Sequence, residues 1–150
     1  GKLNRLFKFI EEAYNLEFVI AAHPKTDVRI VSQLYDNRKT FLGKTLYLIR
    51  DSEFVTTRQS TAISYAILFN KPIQFLTSNA LLNWDHSNKS VRPILNALNQ
   101  DQFNIDDLDY SCKFEIPRFD REIYLRYKQK WLSSENLPNY QIIVNCFENY

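Results

Sequence analysis

An unbroken apolar run from Phe18 to Ala22 is the sequence feature that most limits what this chain can fold into. A strand that is apolar at every position has to be buried on both faces, as in a parallel sheet that is covered by helices. Pro24 ends the run, because proline has no backbone N–H to donate to a neighbouring strand. We therefore expect a parallel β-sheet with helices on both of its faces.

Helix-like and strand-like patterns alternate around this run. Residues 2–15 carry Leu3, Leu6, Phe7 and Ile10 at helical spacing, which predicts an amphipathic helix. Further helices are predicted over residues 44–52, 61–70, 91–100, 121–132 (with Asp120 as its cap) and 137–149, and strands over residues 40–42, 53–57, 72–77 and 113–116. This alternation is typical of a Rossmann-like α/β fold, with residues 1–150 forming a single domain.

The composition narrows the classes of function. A formal net charge of +2 is too small to indicate a nucleic-acid partner, and two glycines cannot supply a GxGxxG loop. Cys112 and Cys146 are far apart, and we expect them to be reduced, buried thiols. Neither they nor the two histidines show metal-ligand spacing, so no metal is expected. Methionine is absent and the chain begins with Gly1, so we expect a fragment of a longer protein.

Two polar segments follow predicted strands, one after Ala22 and one after Thr57. Ligands of parallel α/β sheets bind outside the carboxyl ends of the strands. A helix that starts near Ser60 would add unpaired N–H groups and a positive dipole, which suit a phosphate. The predicted phosphate site consists of His23, Pro24, Lys25, Arg58, Gln59, Ser60 and Thr61.

His23 is the candidate catalytic residue of this site. A histidine at a strand end can donate to a phosphate oxygen and stabilise negative charge on a leaving group. Each residue also has a simpler interpretation, in which Ser60 only caps a helix and His23 only occupies a loop. Trp84, Asp85 and His86 are expected in a surface loop that could close over a ligand.

Two segments carry a family resemblance. Residues 18–25, with the pair His23-Pro24, and residues 48–73 resemble the nucleotide-binding half of GT-B glycosyltransferases. The likeness is to the bacterial surface-polysaccharide group, which includes lipooligosaccharide sialyltransferases, polysialyltransferases and teichoic-acid polymerases. Those families carry an HP pair after a strand and a stretch that Asp51–Ile73 resembles. The resemblance covers residues 18–77 and implies the C-terminal, donor-binding half of a GT-B fold.

The resemblance implies a specific set of roles. His23 would contact the phosphate or ribose of a CMP- or UDP-activated sugar such as sialic acid, and Ser60 and Thr61 would hold phosphate. No metal or other cofactor is expected, because the helix dipole and side chains offset the leaving-group charge. A domain preceding Lys2 would bind a glycan or lipid-linked acceptor and supply the general base. The whole enzyme would work in the cytoplasm, with peripheral association at the inner face of the membrane.

This chain departs from the resembled families at Tyr65, and that difference keeps other functions open. Many relatives bind ribose with a glutamate where this chain has Tyr65, and a tyrosine does not accept hydrogen bonds as a carboxylate does. The first alternative is a non-catalytic α/β module that binds a protein partner. The second is a related UDP-sugar epimerase or polyol-phosphate transferase that uses the same fold with another nucleotide.

Overall fold

The computed structural model describes residues 1–109 and 114–132, apart from the side chains of residues 85–88. The helices are α1 Lys2–Tyr14, α2 Val28–Leu34, α3 Thr45–Asp51, α4 Ile63–Leu68, α5 Asn79–Leu82, α6 Asp85–Leu98 and α7 Arg121–Tyr127, which continues as a π-helical turn, Lys128–Leu132. The strands are β1 Ile20–Ala22, β2 Thr40–Leu42, β3 Val55–Thr57, β4 Ile73–Thr77 and β5 Gln102–Asn104. The expected α/β fold, with parallel strands flanked by helices, is confirmed.

The strands form two small sheets, and the prediction of a single sheet is wrong. β1 pairs with β2, and β4 lies between β3 and β5. Aromatic rings join the two sheets where backbone hydrogen bonds were expected. Phe18 precedes β1, Phe54 precedes β3, and their rings meet edge to face with centroids 5.9 Å apart. The starts of β1 and β3 are therefore side by side, and a cleft runs between the sheets.

Helices cover both faces of the three-stranded sheet. Side chains of β4 therefore belong to two hydrophobic cores, one on each face of the sheet. Phe75 is completely buried on one face, against α4, α6 and α7. Leu76 belongs to the core on the other face, against α1. The first core contains Ile49, Ile63, Ala66, Ile67, Ile73, Phe75, Val91, Leu95, Leu98 and Tyr124, and the second Leu6, Phe7, Ile10, Leu76 and Phe114.

Several elements differ from the predicted ones. α2 and β5 were not predicted, since both are short and α2 buries no residue that would give a helical pattern. Asp85 and His86 lie in the first turn of α6, so the expected surface loop at these residues is wrong. Ala21 is exposed, so β1 is not buried on both faces. Residues 114–116 form no strand, although Phe114 is buried.

The predicted cap of the helix at residues 121–132 can be checked in the structure, whereas three predicted features near the C-terminus cannot. The carboxylate of Asp120 accepts hydrogen bonds from the N–H groups of Glu122 and Ile123, which confirms it as the cap of α7. The predicted helix over residues 137–149 lies outside the described residues, as do Cys112 and Cys146.

Glu11, in the last turn of α1, ties the two-stranded sheet to this helix. Its carboxylate accepts hydrogen bonds from Arg38 Nη2 at 2.7 Å, from Arg38 Nε at 3.1 Å and from the Phe18 N–H at 2.9 Å. The Arg38 side chain is only 11% exposed, and its guanidinium lies over the ring of Phe7. Burial alone would raise the pKa of Glu11, but the Arg38 and Phe18 hydrogen bonds and the Arg38 charge together hold that pKa below its ordinary value.

We expect Glu11→Gln to lower the free energy of unfolding by about 2 kcal/mol at pH 7, because it leaves a mostly buried guanidinium with only the exposed carboxylate of Asp36, 4.0 Å away, as a counter-ion. The depressed pKa means that the contribution of Glu11 is complete above its unfolded-state pKa and is lost as the pH falls through the folded-state pKa. The difference between wild type and variant should therefore shrink below about pH 4. Urea unfolding at neutral and acidic pH measures it.

Glu12→Gln is the matched control, since Glu12 is the next residue of α1 and is exposed, with Lys8 as a partner at 3.8 Å. An exposed pair of this kind contributes about 0.5 kcal/mol or less. Equal losses in the two variants, or a loss that does not change with pH, would contradict the role given to Glu11.

Candidate functional site

The cleft between the two sheets has a volume of about 1110 Å³ and contains most of the predicted phosphate site. Five of the seven predicted residues line it: His23, Pro24, Arg58, Ser60 and Thr61. Lys25 and Gln59 are exposed and do not line it. The structure thus brings the segments after β1 and β3 to one cavity.

The ring of His23 is oriented by the turn that ends β1. Pro24 stops the strand, and the N–H of Thr26 closes the turn by donating to the carbonyl of His23 at 2.9 Å. The N–H of Lys25 donates to His23 Nδ1 at 3.2 Å. In the neutral ring the proton is therefore on Nε2, which makes this exposed imidazole a hydrogen-bond donor at the edge of the cleft.

Ser60 and Thr61 do not begin a helix, and that prediction is wrong. α4 begins at Ile63 and has six residues. The Ser60 hydroxyl accepts a hydrogen bond from the N–H of Ala62 at 3.1 Å, and the Ser60 carbonyl accepts one from Ile63 at 3.2 Å. A serine side chain that bonds to nearby backbone favours a turn over a helix. The segment therefore contributes exposed hydroxyl groups to the cleft, without a helix end at Ser60.

The loop after β3 is held by the segment that begins α6. The Arg58 guanidinium lies over the indole of Trp84, with Cζ 5.6 Å from the ring centroid. The Ser90 hydroxyl donates to Gln59 Oε1 at 3.0 Å. These two contacts attach α6 to the loop that carries Ser60. Gln59 thus positions the loop from outside the cleft, a role that its sequence position did not indicate.

Among the charged side chains that line the cleft, the acidic ones lie before strands and the basic ones lie after strands. The carboxylates precede β1 and β3, and they are Glu17, Asp51 and Glu53. The basic side chains follow β1, β2 and β3, and they are His23, Lys44 and Arg58. A hydrogen bond from Arg50 holds the pKa of Asp51 below its ordinary value, so this carboxyl is ionised at neutral pH. An anion is therefore favoured where the strands end.

Lys44 and the three carboxylates were not among the predicted site residues. The sequence did contain a signal, because each of these residues lies within four residues of the start or the end of a strand. Their charges became informative only when the strands were seen to border one cleft.

Aromatic side chains form much of the remaining wall. They are Phe7, Phe18, Tyr35, Phe41, Tyr47, Phe54 and Tyr65. Flat apolar rings beside a few polar groups are typical of sites for small planar ligands. Tyr65 is among them.

Two further properties concern the part of the chain that the structure describes. No group of three or more His, Cys, Asp or Glu side chains there is arranged to hold a metal ion. Among the same residues, no helix combines the length and the apolar character needed to cross a bilayer.

Comparison of the chain with protein-family models, with curated proteins and with solved structures gives no match.

We expect Arg58→Ala to expose the indole of Trp84, since the guanidinium covers one part of that ring. Acrylamide quenching of tryptophan fluorescence should rise in the variant, measured in a Trp131→Phe background that leaves one tryptophan. The free energy of unfolding should fall by about 0.5–1 kcal/mol, the contribution of an exposed cation–π contact. Arg50→Ala is the control, because Arg50 lies over Tyr47. Equal quenching in wild type and Arg58→Ala would contradict the contact.

Proposed function

We propose that this chain is the donor-nucleotide-binding domain of a glycosyltransferase that builds a cell-surface glycan. The observation that carries the proposal is the convergence of His23, Arg58, Ser60 and Thr61 on one cleft whose basic side chains all follow strands. That arrangement suits an anionic ligand with a planar base. The resemblance of residues 18–77 to the GT-B surface-polysaccharide families adds the chemical class of that ligand.

In the proposed reaction, the bond between the sugar and the nucleotide phosphate breaks, and an acceptor hydroxyl takes the sugar. Negative charge then develops on the departing phosphate. His23 Nε2–H, the guanidinium of Arg58 and the hydroxyls of Ser60 and Thr61 are the donors available to stabilise it. A general base outside this chain would remove the proton of the acceptor hydroxyl.

The proposed donor is a CMP- or UDP-activated sugar, and a sugar such as sialic acid fits the resembled families. Tyr65 in the cleft wall argues against ribose binding by a carboxylate at that position. The proposed acceptor is a glycan or a lipid-linked glycan that is held by a second domain. The whole enzyme is proposed to act in the cytoplasm, at the inner face of the membrane.

We expect titration of the chain with CMP, CDP, UDP and GDP, followed by calorimetry, to show binding of a cytidine or uridine nucleotide. His23→Ala and Ser60→Ala should each weaken that binding by about tenfold, the effect of losing roughly 1.4 kcal/mol of hydrogen bonding to a charged group. Lys8→Ala is the control, because it removes an exposed cation that does not line the cleft. Binding that is unchanged in both cleft variants would contradict the site.

A second candidate function is supported by the surface of α2. This helix has no buried residues, and its Ile30 and Leu34 side chains are 57% and 67% exposed. An exposed aliphatic pair of this kind suits a non-catalytic module that binds a protein partner. Absence of binding by all four nucleotides, in a sample shown to be folded, would favour this function over the transferase.

A further inference from the structure

Phe41 is the middle residue of β2 and lines the cleft with a partly exposed side chain. The strand register pairs it with Ala21 of β1, so the two side chains lie on the same face of the two-stranded sheet. Ile20, the residue before Ala21, packs against the core that contains α1. Because side chains alternate along a strand, Ala21 and Phe41 lie on the face that is turned away from that core.

The ring of Phe41 differs from the other aromatic rings of the cleft wall. Within the part of the chain that the structure describes, it belongs to neither hydrophobic core and contacts no aromatic ring or cation. The other six rings are members of a core, pack against one or lie beneath a guanidinium, and they are Phe7, Phe18, Tyr35, Phe54, Tyr65 and Tyr47. Packing within the protein therefore explains the positions of those six rings and does not explain that of Phe41.

The adjacent strand leaves space beside the Phe41 ring. Ala21 is exposed and its side chain is a single methyl group, so the ring has no bulky neighbour at the paired position of β1. Covering a partly exposed phenylalanine with a second flat group is favourable, because apolar area is removed from water and the two rings stack. Every nucleobase has a flat face that can stack in this way.

Phe41 also lies at a suitable distance from the basic edge of the cleft. His23 is two residues beyond Ala21, the residue that pairs with Phe41. Two residues of a strand span about 7 Å. The ribose of a nucleotide separates the base from the phosphate by a comparable length. A nucleotide with its phosphate at His23 can therefore place its base on the ring of Phe41.

We infer that Phe41 is the residue on which the base of the bound nucleotide stacks, in the space that Ala21 leaves beside the ring. This inference rests on the proposed function and adds a residue that neither the sequence motifs nor the resemblance indicated. Stacking does not read the hydrogen-bonding edge of a base, so Phe41 strengthens the binding of any base that fits the cleft.

The test compares Phe41→Leu with Phe41→Tyr by calorimetric titration and by thermal melting. The probe is the one of CMP, CDP, UDP and GDP that wild type binds most tightly. Phe41→Leu should bind it about tenfold more weakly, because the stacking face is lost and an apolar side chain remains. Phe41→Tyr keeps the ring and should bind within about twofold of wild type. Both variants should melt close to wild type, because Phe41 belongs to neither core of the described residues.

Proton NMR of the nucleotide gives a second readout that a purely structural role of Phe41 would not change. An aromatic ring shields protons that lie above its face, so wild type should shift the base protons of the bound nucleotide upfield. At saturation this shift should be smaller with Phe41→Leu. Leu42→Ala is the matched control, because Leu42 is the next residue of β2, is 40% exposed and does not line the cleft. It should bind the nucleotide and shift its base protons as wild type does.

The outcomes separate this inference from the proposed function. If wild type binds none of the four nucleotides, the proposed function fails and this inference fails with it. If wild type binds and Phe41→Leu binds equally tightly, leaves the base-proton shift unchanged or melts well below wild type, only the inference about Phe41 is overturned. An equal loss of affinity in Leu42→Ala would also overturn it, since a disturbance of β2 would then explain the weaker binding.

Discussion

The carboxylate of Glu11 is the group on which the position of the smaller sheet depends. It accepts hydrogen bonds from Phe18, just before β1, and from Arg38, just before β2. Its helix, α1, packs in the same core as Leu76 of β4 in the larger sheet. One partly buried ion pair therefore connects the two sheets through a helix. Breaking the pair would therefore remove one of the contacts that hold β1 in place, beside the packing of Phe18 and Ile20 in the core of α1 and Leu76.

The cleft follows from this indirect connection. Sheets that are joined by aromatic rings at one end, as Phe18 and Phe54 join them, leave space along the remaining length of the strands. Carboxylates border the space where strands begin and basic side chains border it where they end.

Local patterns predicted elements well where the pattern was long or had a clear cap. α1 shows a repeated apolar spacing over thirteen residues, and Asp120 caps α7 as expected. The start of α4 was predicted wrongly, because the Ser60 side chain bonds to Ala62 and stabilises a turn where a helix was expected. α2 was not predicted, because a helix with no buried residue has no apolar pattern to reveal it.

The sequence by itself determined the α/β class, the strand that ends at His23-Pro24 and the polar segment after β3, because all three depend on residues close together in the chain. Only the tertiary structure decided that there are two sheets and that Lys25 and Gln59 lie outside the cleft. These outcomes depend on contacts between distant residues, such as Glu11 with Arg38 and Phe18 with Phe54. The periodicity of a short segment contains no information about which distant segment will pack against it.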